Sequence, residues 1–344
     1  MDQSLNKLPG ALLPWYEKNK RDLPWRQDKD PYHIWISEIM LQQTRVEAVK
    51  GYYARFLSVL PTIESLANAN DELLYKLWEG LGYYSRVRNL KNAANVIMQA
   101  YGGCFPTDHK AVLALPGIGD YTAGAICSIA FGQKTPAVDG NVLRVVSRLQ
   151  ADFSPIDSPA RKKEVQLLLA DIYPDDAGNF TQALMELGAT VCGPNKAPDC
   201  TNCPCKDFCL GYQQGVAEEL PVKTPKKGRR IEEKTVFLLR CDDRYALLKR
   251  PDKGLLAGLW QLPETAGIVA LNEAVAALGL PIKEVYRQLE RNHIFTHIEW
   301  KMRCFYLEIG EKSDKFQWFT AEEITNTAAL PTAYRQFWDA REDF

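Results

Sequence analysis

The chain has 344 residues, 46% apolar and 25% charged, with a net charge of −1, enough for two ordinary domains and too polar for a membrane-embedded protein. No apolar run approaches the roughly 18 residues of a membrane span, and MDQSLNKLPG at the start has neither a signal core nor an Arg-rich transit character, so a cytoplasmic location is expected. Residues 1–220 carry 22 Lys and Arg against 25 Asp and Glu, which excludes a uniformly basic nucleic-acid coat and leaves only local basic faces or helix-end amides for binding phosphates.

In chain order, helical spacing of apolar residues predicts helices over 34–55, 72–81, 86–100, 121–131, 142–150, 161–173 and 180–191. Gly80, Gly82, Gly102, Gly103, Pro116, Gly132, Pro136, Pro155 and Pro174 separate them. Residues 221–230, PVKTPKKGRR, are Pro- and Lys-rich with little to bury and read as a linker. Beyond it, strands are expected at 234–240, 245–249 and 301–309 and a helix at 272–280, an α+β pattern.

Three motifs in the first half carry chemistry. In Trp35–Thr44, Glu38 stands among Trp35, Ile39, Met40 and Leu41. A carboxyl in apolar company holds its proton toward neutral pH, although a helix with Glu38 facing water fits the pattern too. Leu115-Pro-Gly-Ile-Gly119 is a glycine turn into a helix whose amides could meet a phosphate, or an ordinary helix–helix turn. Asp139-Gly-Asn141 precedes an apolar helix and reads as an N-cap as readily as a catalytic group.

Together, SEIMLQQT (37–44), WEGLGYYSRVRNL (78–90), LPGIGDYTAGAI (115–126) and AVDGNVLRV (137–145) resemble the helix–hairpin–helix DNA glycosylase superfamily, and within it the MutY-type adenine glycosylases. The resemblance implies base-excision repair: a glycosylase without lyase activity that hydrolyses the N-glycosidic bond of adenine opposite 8-oxoguanine or guanine. It implies catalytic roles for Glu38 as general acid and Asp139 as the carboxylate facing the sugar cation, oriented by Tyr121 and Asn141. It places Trp25, Arg26, Leu41 and Gln182 in the adenine pocket, and Gln43, Thr44 and Tyr83 against the duplex and the opposite base. Endonuclease III-type relatives carry a Schiff-base lysine where this chain has Tyr121, which argues against a bifunctional glycosylase/lyase.

Cys192, Cys200, Cys203 and Cys209 crowd together, a spacing that suits zinc or an iron–sulfur cluster. The resemblance favours a 4Fe–4S cluster on these four, with Cys205 as a free thiol and Lys196 and Lys206 brought near phosphates. The first spacing is seven residues where the family has six.

Residues 231–344 resemble a Nudix-like domain. Gly258 and Glu264 fit the Nudix box, but Asn272 replaces its Arg, and Ala276 and Ala277 replace the two Glu that would hold Mg²⁺. A nucleotide-hydrolysing activity is therefore not expected. Phe295-Thr296-His297 matches the family loop that reads 8-oxoguanine, giving Thr296 and His297 as lesion contacts. Trp300, Lys301 and Arg303 fit a DNA contact or a strand edge equally. The expected whole is a mainly α helix–hairpin–helix region with an iron–sulfur loop over 1–220, then the linker, then an α+β Nudix-like lesion-recognition domain over 231–344. Its partners are duplex DNA and replication or repair proteins, with a bacterial-type nucleoid location and no membrane or obligate oligomer. A non-catalytic lesion binder is the alternative outside enzymology, opposed by Glu38 and Asp139.

Overall fold

The computed structural model describes residues 5–194, 197–225, 228–341 and 344. Its helices are α1 Leu8–Asn19, α2 Pro31–Leu41, α3 Val46–Val59, α4 Ile63–Asn68, α5 Asp71–Trp78, α6 Ser85–Tyr101, α7 His109–Leu113, α8 Asp120–Phe131, α9 Gly140–Gln150, α10 Pro159–Ala170, α11 Ala177–Thr190 and α12 Leu210–Gln213. Then follow β1 Arg230–Cys241, β2 Arg244–Lys249, β3 Trp260–Gln261, β4 Glu264–Ala266, α13 Leu271–Leu278, β5 Ile282–Ile294, β6 Ile298–Ile309, β7 Gln317–Thr320, α14 Ala321–Asn326 and α15 Thr332–Trp338. Among the described residues, no helix is long and apolar enough to cross a membrane.

The chain forms two compact units: residues 1–68 with 89–225, and residues 69–88 with 226–344. The expected first region, 1–220, thus contains a piece, 69–88, that packs with the second unit.

In the first unit, α2 and α8 are apolar almost all round and lie inside. Tyr32 and Ile34–Met40 of α2 are buried, as are Thr122–Ile129 of α8. Asp30 caps α2 by accepting from Tyr32 N at 2.8 Å, and Pro31 suits the first turn. The single helix expected over 34–55 is two, because Gln43 adopts a left-handed φ of 60° between α2 and α3. Leu8, Leu12 and Tyr16 of α1, Val142 and Val146 of α9, and Phe180 and Leu184 of α11 share a second core. Gly124 lets α8 approach residue 136: a Cβ there would stand 2.4 Å from the Pro136 carbonyl oxygen.

The second unit holds a sheet ordered β3-β2-β1-β6-β5, with β4 on β1 and β7 on β2. The β1–β6 pair is parallel and carries long registers, Val236 beside Cys304 and Leu238 beside Tyr306. Both faces of β1 are covered, so Val236–Leu239 is a continuous buried run. Even positions face α15 through Tyr334, Phe337 and Trp338; Phe237 and Leu239 face α13. Segment 69–88 docks through Glu79, which accepts from Leu330 N at 2.9 Å and pairs with Arg335 at 2.5 Å. Arg88 donates to the Ala257 carbonyl at 2.6 Å. Strand β5 escaped the sequence reading because most of its side chains are exposed and show no clean alternation.

Candidate active site

A cavity of about 940 Å³ opens in the first unit, lined by Trp25, Arg26, Glu38, Leu41, Gln43, Thr44, Tyr121, Asp139, Asn141 and Gln182. Helix α2 supplies Glu38 and Leu41, α8 supplies Tyr121, the start of α9 supplies Asp139 and Asn141, and α11 supplies Gln182. Every expected residue of the catalytic centre and base pocket therefore reaches one space.

Glu38 is 5% exposed and accepts a hydrogen bond from the Tyr121 hydroxyl at 2.7 Å. Burial pushes its carboxyl up to about 7; the Asp139 charge adds to that, while the Tyr121 bond and Arg26 oppose it. The reading of Glu38 as a water-facing helix residue is excluded. Burial, then the charges of Glu38 and Asp139, raise Tyr121 well above the ordinary phenol value, so it stays a neutral donor.

Asp139 is both the N-cap of α9 and a cavity wall. Its Oδ1 accepts from Asn141 N at 2.9 Å and Val142 N at 2.8 Å, and its Oδ2 accepts from Asn141 Nδ2 at 2.7 Å. Burial raises its carboxyl, and these bonds and Arg144 pull it back. Three N–H donors at a helix N-terminus meet Asp139, against one hydroxyl on Glu38, so the surroundings favour charge on Asp139 and the proton on Glu38. Asn141 is itself fixed by Arg144, which donates to its Oδ1 at 2.9 Å and to the Cys192 carbonyl at 2.8 Å.

The Arg26 side chain bonds Glu186 at 2.8 Å, and Trp25 stacks edge-on to Tyr53 at 5.6 Å. Glu186 and its partner Arg21 were missed from sequence, since a Glu inside MELGA and a distant Arg give no local sign of pairing. Gln43 is exposed and Thr44 half-buried at the rim. In the glycine turn, Gly117 has φ 76° and no room for a Cβ, which would stand 2.5 Å from Asn89 Cβ; Gly119 is the N-cap of α8.

Cys192, Cys200, Cys203, Cys205 and Cys209 line one small cavity beside α9 and α11. Arg148 donates to Cys192 Sγ at 3.2 Å, and the Cys209 thiol donates to the Arg148 carbonyl at 3.4 Å. Among the described residues, no three or more His, Cys, Asp or Glu are arranged as a ready metal site. Lys206 lies over the Tyr212 ring at 5.3 Å, and Lys196 falls outside the described residues.

In the second unit, Tyr83 is exposed with a left-handed φ of 47°, and its hydroxyl is 3.0 Å from Thr296 Oγ1. The contact joins two expected base-reading residues 213 positions apart. Thr296 and His297 are exposed, and Phe295 packs on Trp300 with ring centroids 4.8 Å apart. Trp300 is itself 1% exposed and donates to Glu232 at 2.8 Å, so it is core and not a DNA contact. Arg303 is engaged by Glu290 at 2.8 Å. Arg86, another residue the sequence did not flag, stacks on Trp78 and Tyr83 at 5.3 and 5.5 Å. Glu264 of the degenerate Nudix box pairs with Lys234 at 2.6 Å and accepts from Tyr334 at 2.7 Å. Ala276 is exposed on α13, and the Ala277 side chain lies outside the described set.

Residues 36–173 match the HhH-GPD superfamily of base excision DNA repair proteins, and residues 235–340 match the NUDIX domain. The adenine DNA glycosylase of Mus musculus is 35% identical across 96% of this chain and 77% of that protein. The chain belongs to the adenine DNA glycosylase family. The Arabidopsis thaliana relative is 34% identical across 97% of this glycosylase, which spans 64% of the plant protein's length. Among solved structures, a thermostable thymine-DNA glycosylase is 31% identical with a TM-score of 0.57, covering 62% of this chain and 98% of that one. An endonuclease III–DNA complex shares the fold at 22% identity and a TM-score of 0.54, covering 63% of this chain and 98% of that one.

Proposed function

We propose that this glycosylase excises an extruded adenine opposite 8-oxoguanine or guanine by acid-assisted hydrolysis. The observation that carries the reading is a buried Glu38, its carboxyl pushed up to about 7, sharing one cavity with an Asp139 that accepts three hydrogen bonds. Glu38 donates its proton to a ring nitrogen of the base. The bond from C1′ to the base breaks with its electron pair leaving on adenine, and Asp139 stabilises the sugar cation until water adds at C1′ and loses a proton. The products are free adenine and an abasic site. Tyr121 and Asn141 orient the two carboxyls; Trp25, Arg26, Leu41 and Gln182 enclose the base.

Gln43 and Thr44 on the first unit, and Tyr83 on the second, are side chains for contacting the duplex and the opposite base. Thr296 and His297 read the opposite lesion, a role supported by the Tyr83–Thr296 contact inside the second unit. Residues 1–220 then form the catalytic region and 231–344 the reading domain, with residues 69–88 lending Tyr83 to the latter. Monofunctionality rests on Tyr121: a phenol bonded to Glu38 offers no amine for a Schiff base at that position. Such a substrate requires access to chromosomal DNA, which fits a cytoplasmic, nucleoid-associated location.

Five soft thiols on one cavity, with an Arg148 guanidinium on one sulfur, fit a 4Fe–4S cluster held by Cys192, Cys200, Cys203 and Cys209. The cluster would cross-link residues 192–209 and supply no step of the hydrolysis. Iron and sulfide content of purified protein, and their loss in Cys203→Ser, test it.

The decisive assay uses a duplex with adenine opposite 8-oxoguanine. Strand breaks that appear only after alkali support the proposal. Breaks without alkali indicate a lyase, and binding without product a lesion binder.

A further inference from the structure

We infer that Glu186 is a positioning residue of the base pocket, acting by fixing the Arg26 guanidinium on the cavity wall; the inference rests on the function proposed above. Glu186 is fully buried on α11. Its Oε1 accepts from the Arg21 backbone N–H at 3.3 Å and from Arg21 Nε at 2.6 Å. Its Oε2 accepts from Arg21 Nη2 at 3.0 Å and Arg26 Nη2 at 2.8 Å. Arg26 is held from the other side, where Nη1 donates to the Arg21 carbonyl at 3.1 Å and the guanidinium lies over the Tyr16 ring at 5.4 Å.

One arginine, bidentate, would neutralise a buried carboxylate. Arg21 already does so. The second cation is surplus to that need, and it is the one that shares the cavity wall with Glu38. A guanidinium tied on two edges and one face cannot follow a ligand. It presents its free N–H groups and its charge at a set place, which suits the acceptor nitrogens of a purine.

The second consequence concerns Glu38. Three groups act on it: Tyr121 from α8, Asp139 from the start of α9, and Arg26 from the turn at residues 24–26. Arg26 is the cation of the three, and its field favours release of the proton. An Arg26 free to swing into solvent would leave Glu38 holding its proton more tightly and the base less well placed.

A double-mutant cycle with full-length protein tests this, using single-turnover excision of adenine opposite 8-oxoguanine across pH. Glu186→Gln is expected to slow excision at least about tenfold and to move the alkaline limb of the profile upward by about half a pH unit. In an Arg26→Gln background the same change is expected to add less than about twofold and no further movement of the limb. A purely structural Glu186 would give equal losses in both backgrounds and a limb at the wild-type position; either result overturns the inference. Should Glu186→Gln fail to fold, Glu186→Asp keeps the charge on a shorter arm and is read by the same two criteria. A wild-type protein inert on the duplex overturns the proposed function instead, so the two failures are distinguishable.

Discussion

Glu38 and Asp139 are both carboxyls in the same cavity, and what separates them is the number of donors each one meets. Glu38 meets one hydroxyl, Asp139 two backbone N–H groups and an amide. If Glu38 is the proton donor, excision falls as pH rises through about 7, where the acid form is lost. A pH–rate profile flat across that range would remove Glu38 from the role. The same shift is a stability statement. Its folded value lies above the ordinary glutamate value of 4.5, so the folded state binds the extra proton between 4.5 and about 7, and stability falls as pH rises through that window. Glu38→Gln, which carries no charge to bury, is expected to be more stable than wild type at pH ~8 by up to about 3 kcal/mol and little different at pH ~4. Thermal melts at the two pH values decide it. The neighbours Trp35, Ile39, Met40 and Leu41 made a raised acid one of two readings of the sequence, and the burial of Glu38 on α2 chose it over a water-facing helix residue. The salt-linked Glu186 was not legible, because its partners come from a turn 160 and 165 residues away.

At the scale of elements, the candidate site is built around helix ends: the last turn of α2, the first turn of α8 and the start of α9. Asp139 caps α9, and the capping and catalytic readings of its motif are both compatible with its geometry. They separate by mutation. Asp139→Asn keeps a cap acceptor and is expected to lose turnover while changing stability by less than about 0.5 kcal/mol; Asp139→Ala is expected to lose turnover and a further ~1 kcal/mol. Denaturant midpoints with single-turnover rates check both, and an active Asp139→Asn protein would dismiss it as a catalytic group. Helix α8 depends on Gly124 in a different way. An alanine there must displace the Pro136 carbonyl, which leads directly into Asp139, so Gly124→Ala is expected to cost about 1–3 kcal/mol and to lower activity through the loop. Periodicity found α2 and α8 but not the break between α2 and α3, since a single left-handed Gln43 leaves no mark in an apolar pattern.

At the scale of the molecule, the division into units follows contacts and not chain order. Residues 69–88 sit early in the chain yet spend their polar groups on the second unit: Glu79 on Leu330 and Arg335, Arg88 on Ala257, Tyr83 on Thr296. A chain ending at residue 225 is therefore expected to be cut by trypsin after Lys76 or Arg86 well before the full-length chain is. Equal cleavage rates at those bonds would show that the segment needs no second unit. Thr296→Ala with His297→Ala is expected to shrink the preference for 8-oxoguanine over guanine by about tenfold, one or two hydrogen bonds' worth. An unchanged ratio of single-turnover rates would assign lesion reading elsewhere. The near-zero net charge fits a binder that uses helix ends and wedged side chains more than a basic coat.

By itself the sequence supplied the motifs: the segments around Glu38 and Asp139, the glycine turn, the crowded cysteines and the alanines at two Nudix metal positions. Identity and spacing left more than one chemistry open for most of them, and the resemblance to a family chose among these. Only the tertiary structure decided that Glu38 is buried and bonded to Tyr121, that Glu186 clamps Arg26, that Trp300 is core, and that Tyr83 meets Thr296. Those facts depend on desolvation and on partners brought together from distant segments. A shifted pKa, a buried ion pair or a cavity exists only once the folded chain has excluded water from it.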